Sequence, residues 1–419
     1  MSEDNTRRGG TLGQPARLFW AFSEPFLTSA PDVRKQRGRI AREVLPVVWS
    51  WIGTDIIPTH FKRLEDVVEK AVADGSVSDI ATGIVQMKKV VGPVLKQTLI
   101  ACRDNPAATR KLIAYTGNDN LLGHVRDICD AMEIEPVLAR LVTAFPIPLS
   151  DPAVPDIEDM FEIITDGADK APHCHDMIIA GAIDRFEKPA HALRLAHYGE
   201  ATDSADELEK SPSRIIIDVL LFDLEHAAEN VIVSHRANGW SSTTFDRIGT
   251  YYSLATGIQR ELVLTEGSRS AKVVAKLRAL FAETFSAEFE NVTGELRRYL
   301  EPLYTGDLST EPSFSEAERI GDVLTAAVHL KSLASELGLY AVVERARKEC
   351  SERIDDANSL ILELIRRHSG TERENARAYL DATVPITEVL QGREAGRIVR
   401  RLGAAASTVG DSPTRTFAA

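Results

Sequence analysis

SAKVVAKLRALFAETFSAEFENVTGELRRYL, residues 270–300, is the stretch that best reveals the fold of this chain. Its large apolar side chains recur every three or four residues, the spacing that places them on one face of an α-helix, and charged residues fall between them. The series is Val274, Leu277, Phe281, Phe285, Phe289, Val292, Leu296 and Leu300. The pattern predicts a long bundle helix with coiled-coil-like spacing.

The segments that follow predict a helical hairpin. Ser313 and Glu316 form a capping-box pattern ahead of an apolar stripe, and Gly338 is placed to end that helix in a left-handed turn. A second stripe runs over residues 343–364. Short connections favour antiparallel packing of neighbouring helices, so we expect a bundle.

The N-terminal third is also helical but more broken, with predicted helices at residues 64–73, 80–101, 120–132 and 136–144. Four prolines then occur in residues 146–155 and forbid a continuous helix there. The resulting prediction is an all-α protein with two helical domains, the C-terminal one a long antiparallel helical bundle. Its parts are a flexible N-terminus (1–14), an N-terminal helical domain (15–145), a Pro-rich linker (146–155), a C-terminal helical bundle (156–402) and a disordered tail (403–419).

Composition narrows the classes of protein to consider. The chain has 419 residues and a formal net charge of −13, which repels phosphate and argues against nucleic-acid partners. Its four cysteines form no C-x-x-C pair, a usage that suits a reducing compartment. The N-terminus lacks the apolar core of a signal peptide, and no apolar run is long enough to span a bilayer. These features predict a cytoplasmic protein.

One stretch of the sequence has the residue types of a catalytic or metal-binding motif, His173-Cys174-His175-Asp176. The adjacent His175 and Asp176 resemble the doublet of the metal-dependent phosphohydrolases that are named for a His-Asp pair. That resemblance implies an upstream histidine and a downstream aspartate, which together with the doublet hold divalent metals that activate water. In this sequence His124 would serve upstream, and Asp218 or Asp223 downstream.

The context of this doublet favours a structural role. In that family the doublet lies inside a helix, whereas here it follows Lys170-Ala171-Pro172 and reads as the start of one. At such a position Asp176 complements the positive end of the helix dipole. The common phosphate-loop, dinucleotide and serine-nucleophile motifs are also absent from the sequence. We therefore expect no cofactor and assign no metal ligand.

Two N-terminal segments are unusual in composition. Residues 18–27 concentrate aromatic side chains, and residues 34–57 combine a basic cluster with two tryptophans and a helical apolar stripe. A docking element for a protein partner would have this composition, and so would an element in a membrane interface. The structural alternative is an N-terminal arm and a core helix, with the cations balancing acidic groups of the same molecule. The candidate partner-binding residues are Phe19, Trp20, Phe22, Phe26, Arg34, Arg37 and Arg39.

The sequence leads to a functional hypothesis without a chemical motif behind it. Long regular helices without a catalytic constellation predict a non-enzymatic interaction or scaffold protein that binds a protein partner through helical surfaces. One alternative is a metal-dependent phosphohydrolase of the His-Asp doublet type. Another is a peripheral membrane-binding protein that uses residues 34–57. The heptad-like helix after residue 270 also leaves a homo-oligomer open.

Overall fold

The computed structural model describes residues 13–30 and 34–409 of the chain. Helices dominate these residues, and β1 (Leu27–Thr28) and β2 (Ile40–Ala41) are two-residue strands that pair in parallel. The all-α prediction is therefore confirmed. Within the described ranges, no helix has both the length and the apolar character needed to cross a bilayer.

The helices before residue 214 include all four of those predicted for the N-terminal third, with ends shifted by a few residues. They are α1 (Gln14–Trp20), α2 (Val44–Trp51), α3 (Pro58–Ala73), α4 (Val77–Asp104), α5 (Pro106–Thr116), α6 (Leu121–Glu133), α7 (Glu135–Ala144), α8 (Val154–Lys170), α9 (His175–Ala182), α10 (Leu193–Glu200) and α11 (Ala205–Leu208). Short 3₁₀ segments at Ala21–Phe26 and Pro172–Cys174 join some of them, and a π-helical turn, Ile52–Ile56, continues α2.

Longer helices follow. They are α12 (Arg214–Asn238), α13 (Ser242–Glu261), α14 (Arg269–Thr305), α15 (Phe314–Leu330), α16 (Tyr340–Arg367), α17 (Gly370–Gln391) and α18 (Arg393–Val409). The capping prediction at the start of α15 is confirmed, since the Ser313 hydroxyl accepts a hydrogen bond from the Glu316 amide. The helix ends at Leu330, however, and turns lead from there to Gly338, which has a φ of +67°.

The chain divides into two compact units that are discontinuous in sequence. Unit 1 contains Met1–His226 and Ser253–Lys272, and unit 2 contains Ala227–Tyr252 and Val273–Ala419. The Pro-rich residues 146–155 interrupt the helices, as their prolines require, but residues on both sides of them belong to unit 1. The Leu149 amide donates to the Arg185 carbonyl, and its carbonyl accepts from the Glu187 amide, so this segment is bonded into the unit. The division between units thus lies elsewhere than in the predicted linker.

The core of unit 1 includes the aromatic N-terminal segment. Phe19 and Trp20 are at most 2 % exposed, and both rings contact Trp49 of α2, with centroids 5.4 and 6.1 Å away. Such edge-to-face contacts add to the hydrophobic free energy of burial, roughly 1.5–3 kcal/mol for each large apolar side chain. The arm and core-helix interpretation of this region therefore describes its packing.

The core of unit 2 is built on the stripe that opened the sequence analysis. Phe281, Phe285 and Phe289 of α14 are all at most 1 % exposed. Helix α17 packs against α15, α16 and α18. Between α16 and α17 lies a buried polar link, in which the Asn358 amide donates to the Thr387 hydroxyl and accepts from the Thr383 hydroxyl, both at 2.9 Å.

The C-terminal prediction needs one correction. Residues 403–409, which the sequence assigned to a disordered tail, continue helix α18. Three consecutive alanines of high helix propensity, residues 404–406, lie in this stretch, and Ala406 is buried. The rest of the predicted tail, 410–419, and residues 1–12 of the predicted flexible N-terminus lie outside the described residues.

Candidate functional site

The basic segment, residues 34–42, is neutralised by acidic residues of its own unit. Asp127 of α6 is 1 % exposed, and its carboxylate accepts from Lys35 Nζ and from Arg37, both at 2.5 Å. The Gly38 amide donates to the same carboxylate at 3.0 Å. A buried carboxylate retains its charge only when it is paired and hydrogen-bonded in this way, so Asp127 anchors the segment.

Arg37 bridges two carboxylates on α6. Its guanidinium lies 2.5 Å from Asp127 and 2.7 Å from an Asp130 oxygen, Oδ2. Burial alone would lower the pKa of Arg37, but attraction to Asp127 and Asp130 outweighs it and raises that pKa above its ordinary value. Arg37 is therefore a permanent cation against Asp130.

The other cations of the basic segment are also paired. Arg39 forms a two-pronged contact with Asp223, with hydrogen bonds of 2.9 and 2.6 Å, and Arg34 lies 2.7 Å from Glu225. The candidate partner-binding cations are thus engaged within unit 1. The aromatic candidates are interior as well: Phe19, Trp20, Phe22 and Phe26 are at most 7 % exposed. In this conformation these rings are therefore not accessible to a partner at the surface.

The segment proposed for a membrane interface has a similar placement. In residues 34–57, most side chains of the helical stripe, among them Ile40, Val48 and Trp51, are buried in unit 1. An interfacial helix must turn its apolar face outwards to the lipid. The membrane hypothesis for this segment stays a prediction, and the packing of these side chains does not favour it.

Three potential metal ligands converge beside Arg37. The ligand atoms of Asp130, His173 and Cys174 lie within 4.8 Å of one another, and in the part of the chain that the structure describes this is the one such group of three. Asp130 and Cys174 are 8 % and 0 % exposed, whereas His173 is exposed. We call this group the Asp-His-Cys cluster.

Two elements hold the cluster together. Asp130 lies on the buried face of α6, and His173 and Cys174 belong to the 3₁₀ turn Pro172–Cys174. The Cys174 amide donates to the Ala171 carbonyl at 2.9 Å, which closes that turn. Pro172 at its start permits the turn and excludes continuation of α8.

Charged neighbours surround the cluster. Glu133 Oε1 lies 3.2 Å from His173 Nε2, and the other Glu133 oxygen pairs with Lys96. The Lys96 hydrogen bond is the largest influence that lowers the pKa of Glu133 below its ordinary value. Burial, followed by repulsion from Asp130 and Glu133, raises the pKa of the Cys174 thiol to about 12. Without a bound cation, Cys174 is therefore a neutral thiol at physiological pH.

None of the five residues named for the His-Asp prediction belongs to this cluster, and one of them, Asp218, pairs with Arg269. His124 is buried on α6, where its Nδ1 accepts from the Ala41 amide at 3.4 Å. Asp223 is bound to Arg39, and His175 borders a cavity with Phe161 and Glu200. Asp176 is exposed in the first turn of α9, the helix-start position expected from the sequence. In the described residues these candidates do not join a convergent ligand group, so their metal role stays a prediction.

Helix α18 of unit 2 carries a different type of surface. Gly396, Gly403 and Ala406 face its neighbours, whereas Ile398 and Leu402 are 48 % and 44 % exposed one helical turn apart. Arginines 393, 397, 400 and 401 line the same exposed side of the helix. We call the exposed residues of α18 the Arg-Ile-Leu face. The sequence shows these arginines close together, but it does not show that the apolar side chains beside them are exposed, because exposure depends on which face meets α16 and α17.

No protein-family model matches this chain, and neither the curated proteins nor the solved structures contain a detectable match to it.

Proposed function

We propose that this protein is a helical scaffold that binds a protein partner, and that its docking surface is the Arg-Ile-Leu face of α18. The observation that supports this is the exposure of Ile398 and Leu402 on a helix whose other side is packed. Apolar anchors spaced by one turn are typical of helix-in-groove recognition. Adjacent exposed apolar side chains with surrounding charge are a frequent mark of an interaction site.

The charge of this face supports an acidic partner. Arg400 pairs with Glu388 at 2.8 Å, and Arg397 pairs with Glu394 at 3.0 Å. Among the described residues neither Arg393 nor Arg401 has an ion pair, so both can meet an incoming carboxylate. The occupant with complementary chemistry is an acidic amphipathic helix, with apolar residues against Ile398 and Leu402.

The geometry favours a helix over a lipid surface. The two exposed anchors span about 5–6 Å along the axis, one helical turn, and the rest of the apolar side of α18 is already used within unit 2. An interfacial helix needs a broad apolar face that is free to enter the lipid. In addition, the net charge of −13 repels an anionic bilayer, whereas a single bound helix senses mainly charges within about 8–10 Å.

The test is affinity selection from a library of helical peptides that vary in charge and apolar pattern. The full chain serves as bait, and peptides that also bind the Leu402→Glu variant are removed by counter-selection. We expect enriched peptides that are acidic and have apolar residues at three- and four-residue spacing. Leu402→Glu and Arg401→Glu should each weaken their binding by about 10–100-fold, the effect of losing an interface anchor. Tyr340→Glu, an exposed apolar-to-acidic change on α16, is the matched control and should leave binding unchanged.

Three outcomes would contradict the proposal. The first is selection of basic or uncharged peptides, or of none beyond counter-selection. The second is flotation with phosphatidylserine vesicles that Leu402→Glu abolishes, which would assign the face to a membrane. The third is a concentration-dependent dimer, measured by sedimentation, that the same substitution dissociates, which would make a second copy the occupant.

A further inference from the structure

We propose that the Asp-His-Cys cluster is a binding site for one divalent transition-metal ion, and that zinc is the ion its donors match best. Asp130, His173 and Cys174 offer one oxygen, one nitrogen and one sulfur ligand. Calcium and magnesium select oxygen ligands, so a thiol and an imidazole point away from them. Zinc accepts all three donor types in tetrahedral geometry. The site is separate from the Arg-Ile-Leu face and does not depend on its function.

The spacing of the donors is close to what a bound ion needs. Zinc bonds of about 2.0–2.3 Å in tetrahedral geometry place neighbouring ligand atoms roughly 3.3–3.7 Å apart. The present donors lie within 4.8 Å of one another, so a contraction of about 1 Å completes the site. Asp130 and Cys174 are buried and fixed, whereas the exposed imidazole of His173 has the freedom to close onto the ion. Its exposure also gives the ion a route from solvent.

Neighbouring groups support this assignment. Metal-bound histidines commonly hold their second ring nitrogen against a carboxylate, and Glu133 lies 3.2 Å from His173 Nε2. Lys96 fixes Glu133 from its other oxygen. Arg37 binds Oδ2 of Asp130, but a carboxylate has about four lone-pair sites and can bind a cation through its second oxygen. We therefore assign Glu133 and Arg37 as positioning residues, with water in the fourth coordination position.

The experiment is a metal titration of the untagged full chain, after treatment with a chelator and its removal. Zinc binding is followed by calorimetry, and cobalt(II) replaces zinc as a spectroscopic probe. We expect one ion per chain and a cobalt spectrum with thiolate-to-metal charge transfer and tetrahedral d–d bands. Cys174→Ser should abolish the charge-transfer band, and His173→Ala should weaken binding at least tenfold. Glu133→Gln should weaken it by about 10–100-fold, the usual effect of losing a partner of a metal-bound histidine.

Matched controls lie beside the cluster. Cys129→Ser changes a buried cysteine next to Asp130, and His175→Ala changes the histidine next to Cys174; both should keep one ion per chain and the charge-transfer band. Circular dichroism confirms folding of each variant. Absence of a thiolate band in the wild type overturns the proposal whether or not Cys174→Ser folds. Stoichiometric binding that survives Cys174→Ser but is lost in His175→Ala would assign the metal to the His-Asp doublet instead.

Discussion

At the scale of single residues, the carboxylate of Asp127 does the most to position its surroundings. This carboxylate is almost fully buried, and it accepts hydrogen bonds from Lys35, Arg37 and the Gly38 amide. Removing one partner of a buried ionic group leaves the others without compensation, and that costs more than the interaction itself contributes.

Asp127→Asn should therefore lower the free energy of unfolding by about 2–4 kcal/mol. This is somewhat less than for a fully buried pair, because Lys35 and Arg37 keep some contact with water. Urea denaturation measures the change. Asp66→Asn is the control: it removes the exposed pair with Lys62 and should cost under about 1 kcal/mol. Equal losses in the two variants would contradict the anchoring role of Asp127.

The cysteines provide a second prediction at this scale. Burial is the leading cause that raises the pKa of both Cys129 and Cys174 to about 12, and all four cysteines are buried. The thiolate is the reactive form, so the native protein should react with a disulfide reagent at pH 8 at least about fiftyfold more slowly than the unfolded chain. Colorimetric thiol titration should count four groups in guanidinium. A rapidly reacting thiol in the native chain would show that burial is incomplete.

The sequence could indicate part of the candidate site but not its composition. The sequence singles out His173 and Cys174, because they lie in the stretch His173–Asp176, whose residue types can bind metals or catalyse reactions. The sequence does not single out Asp130, since its partners come from a different segment and the periodicity along α6 indicates only that one face is buried. Which turn meets that face depends on tertiary packing.

At the scale of elements, close backbone approach constrains β2 and α9. Gly38, just before β2, has a φ of +78°, and a Cβ added to it would lie 2.5 Å from the Cβ of Ala180. The position therefore requires glycine for two reasons, its left-handed conformation and the absence of space.

Gly38→Ala and Gly75→Ala separate these two reasons. Gly75 has a similar φ of +68° but nothing within 4 Å of an added Cβ. Gly75→Ala should cost about 1–2 kcal/mol from backbone strain alone, and Gly38→Ala about 2–4 kcal/mol, because overpacking adds to the strain. Thermal unfolding followed by circular dichroism compares them. Similar melting temperatures would contradict the tight contact with α9.

The polar link between α16 and α17 gives a further prediction. Asn358→Ala removes two buried hydrogen bonds and leaves a small cavity, so it should lower the free energy of unfolding by about 1.5–3 kcal/mol. Ser359→Ala, one position along on the exposed side, should have little effect. A loss of under about 0.5 kcal/mol in Asn358→Ala would mean that water replaces these bonds.

Helix positions were the most predictable part of the fold. The stripe at 274–300 and the cap at Ser313 correspond to the observed α14 and α15, since both signals act within one or two turns. The predicted linker at 146–155 shows the limit of such local signals. The four prolines of this segment interrupt the helix between α7 and α8, but the hydrogen bonds that tie Leu149 to residues 185 and 187 come from a distant part of the chain.

At the scale of the whole molecule, charge pairing explains why the basic segment resembled a docking element. Sequence shows five cations close together in residues 34–42, but it does not show that acids from other helices meet them. Asp127, Asp223 and Glu225 do so here. A local excess of one sign indicates an external partner only when the rest of the fold leaves it unpaired.

Low pH should weaken the pairing of carboxylates such as Glu288. Burial raises the pKa of Glu288, but hydrogen bonds with His235 and Trp240 outweigh it and hold that pKa below its ordinary value of 4.5. A carboxylate whose pKa is lower in the folded state stabilises the fold at pH values above its unfolded-state pKa. That contribution is lost as the pH falls through the folded-state pKa.

The stability advantage of wild type over Glu288→Gln should therefore shrink as pH falls below 4.5 and through the lowered folded-state pKa of Glu288. Urea unfolding across this pH series measures both proteins. An advantage that does not change with pH would mean that the carboxylate charge contributes nothing at this position.

The discontinuous course of unit 1 has a consequence for synthesis on the ribosome. Its final segment, Ser253–Lys272, is made only after Ala227–Tyr252, which belongs to the other unit. At about 5–20 residues per second, translation from residue 226 to residue 272 takes roughly 2–9 s. Throughout that interval the first 226 residues are out of, or leaving, the exit tunnel with their core incomplete. The core of unit 1 can therefore be completed only after Ser253–Lys272 has emerged.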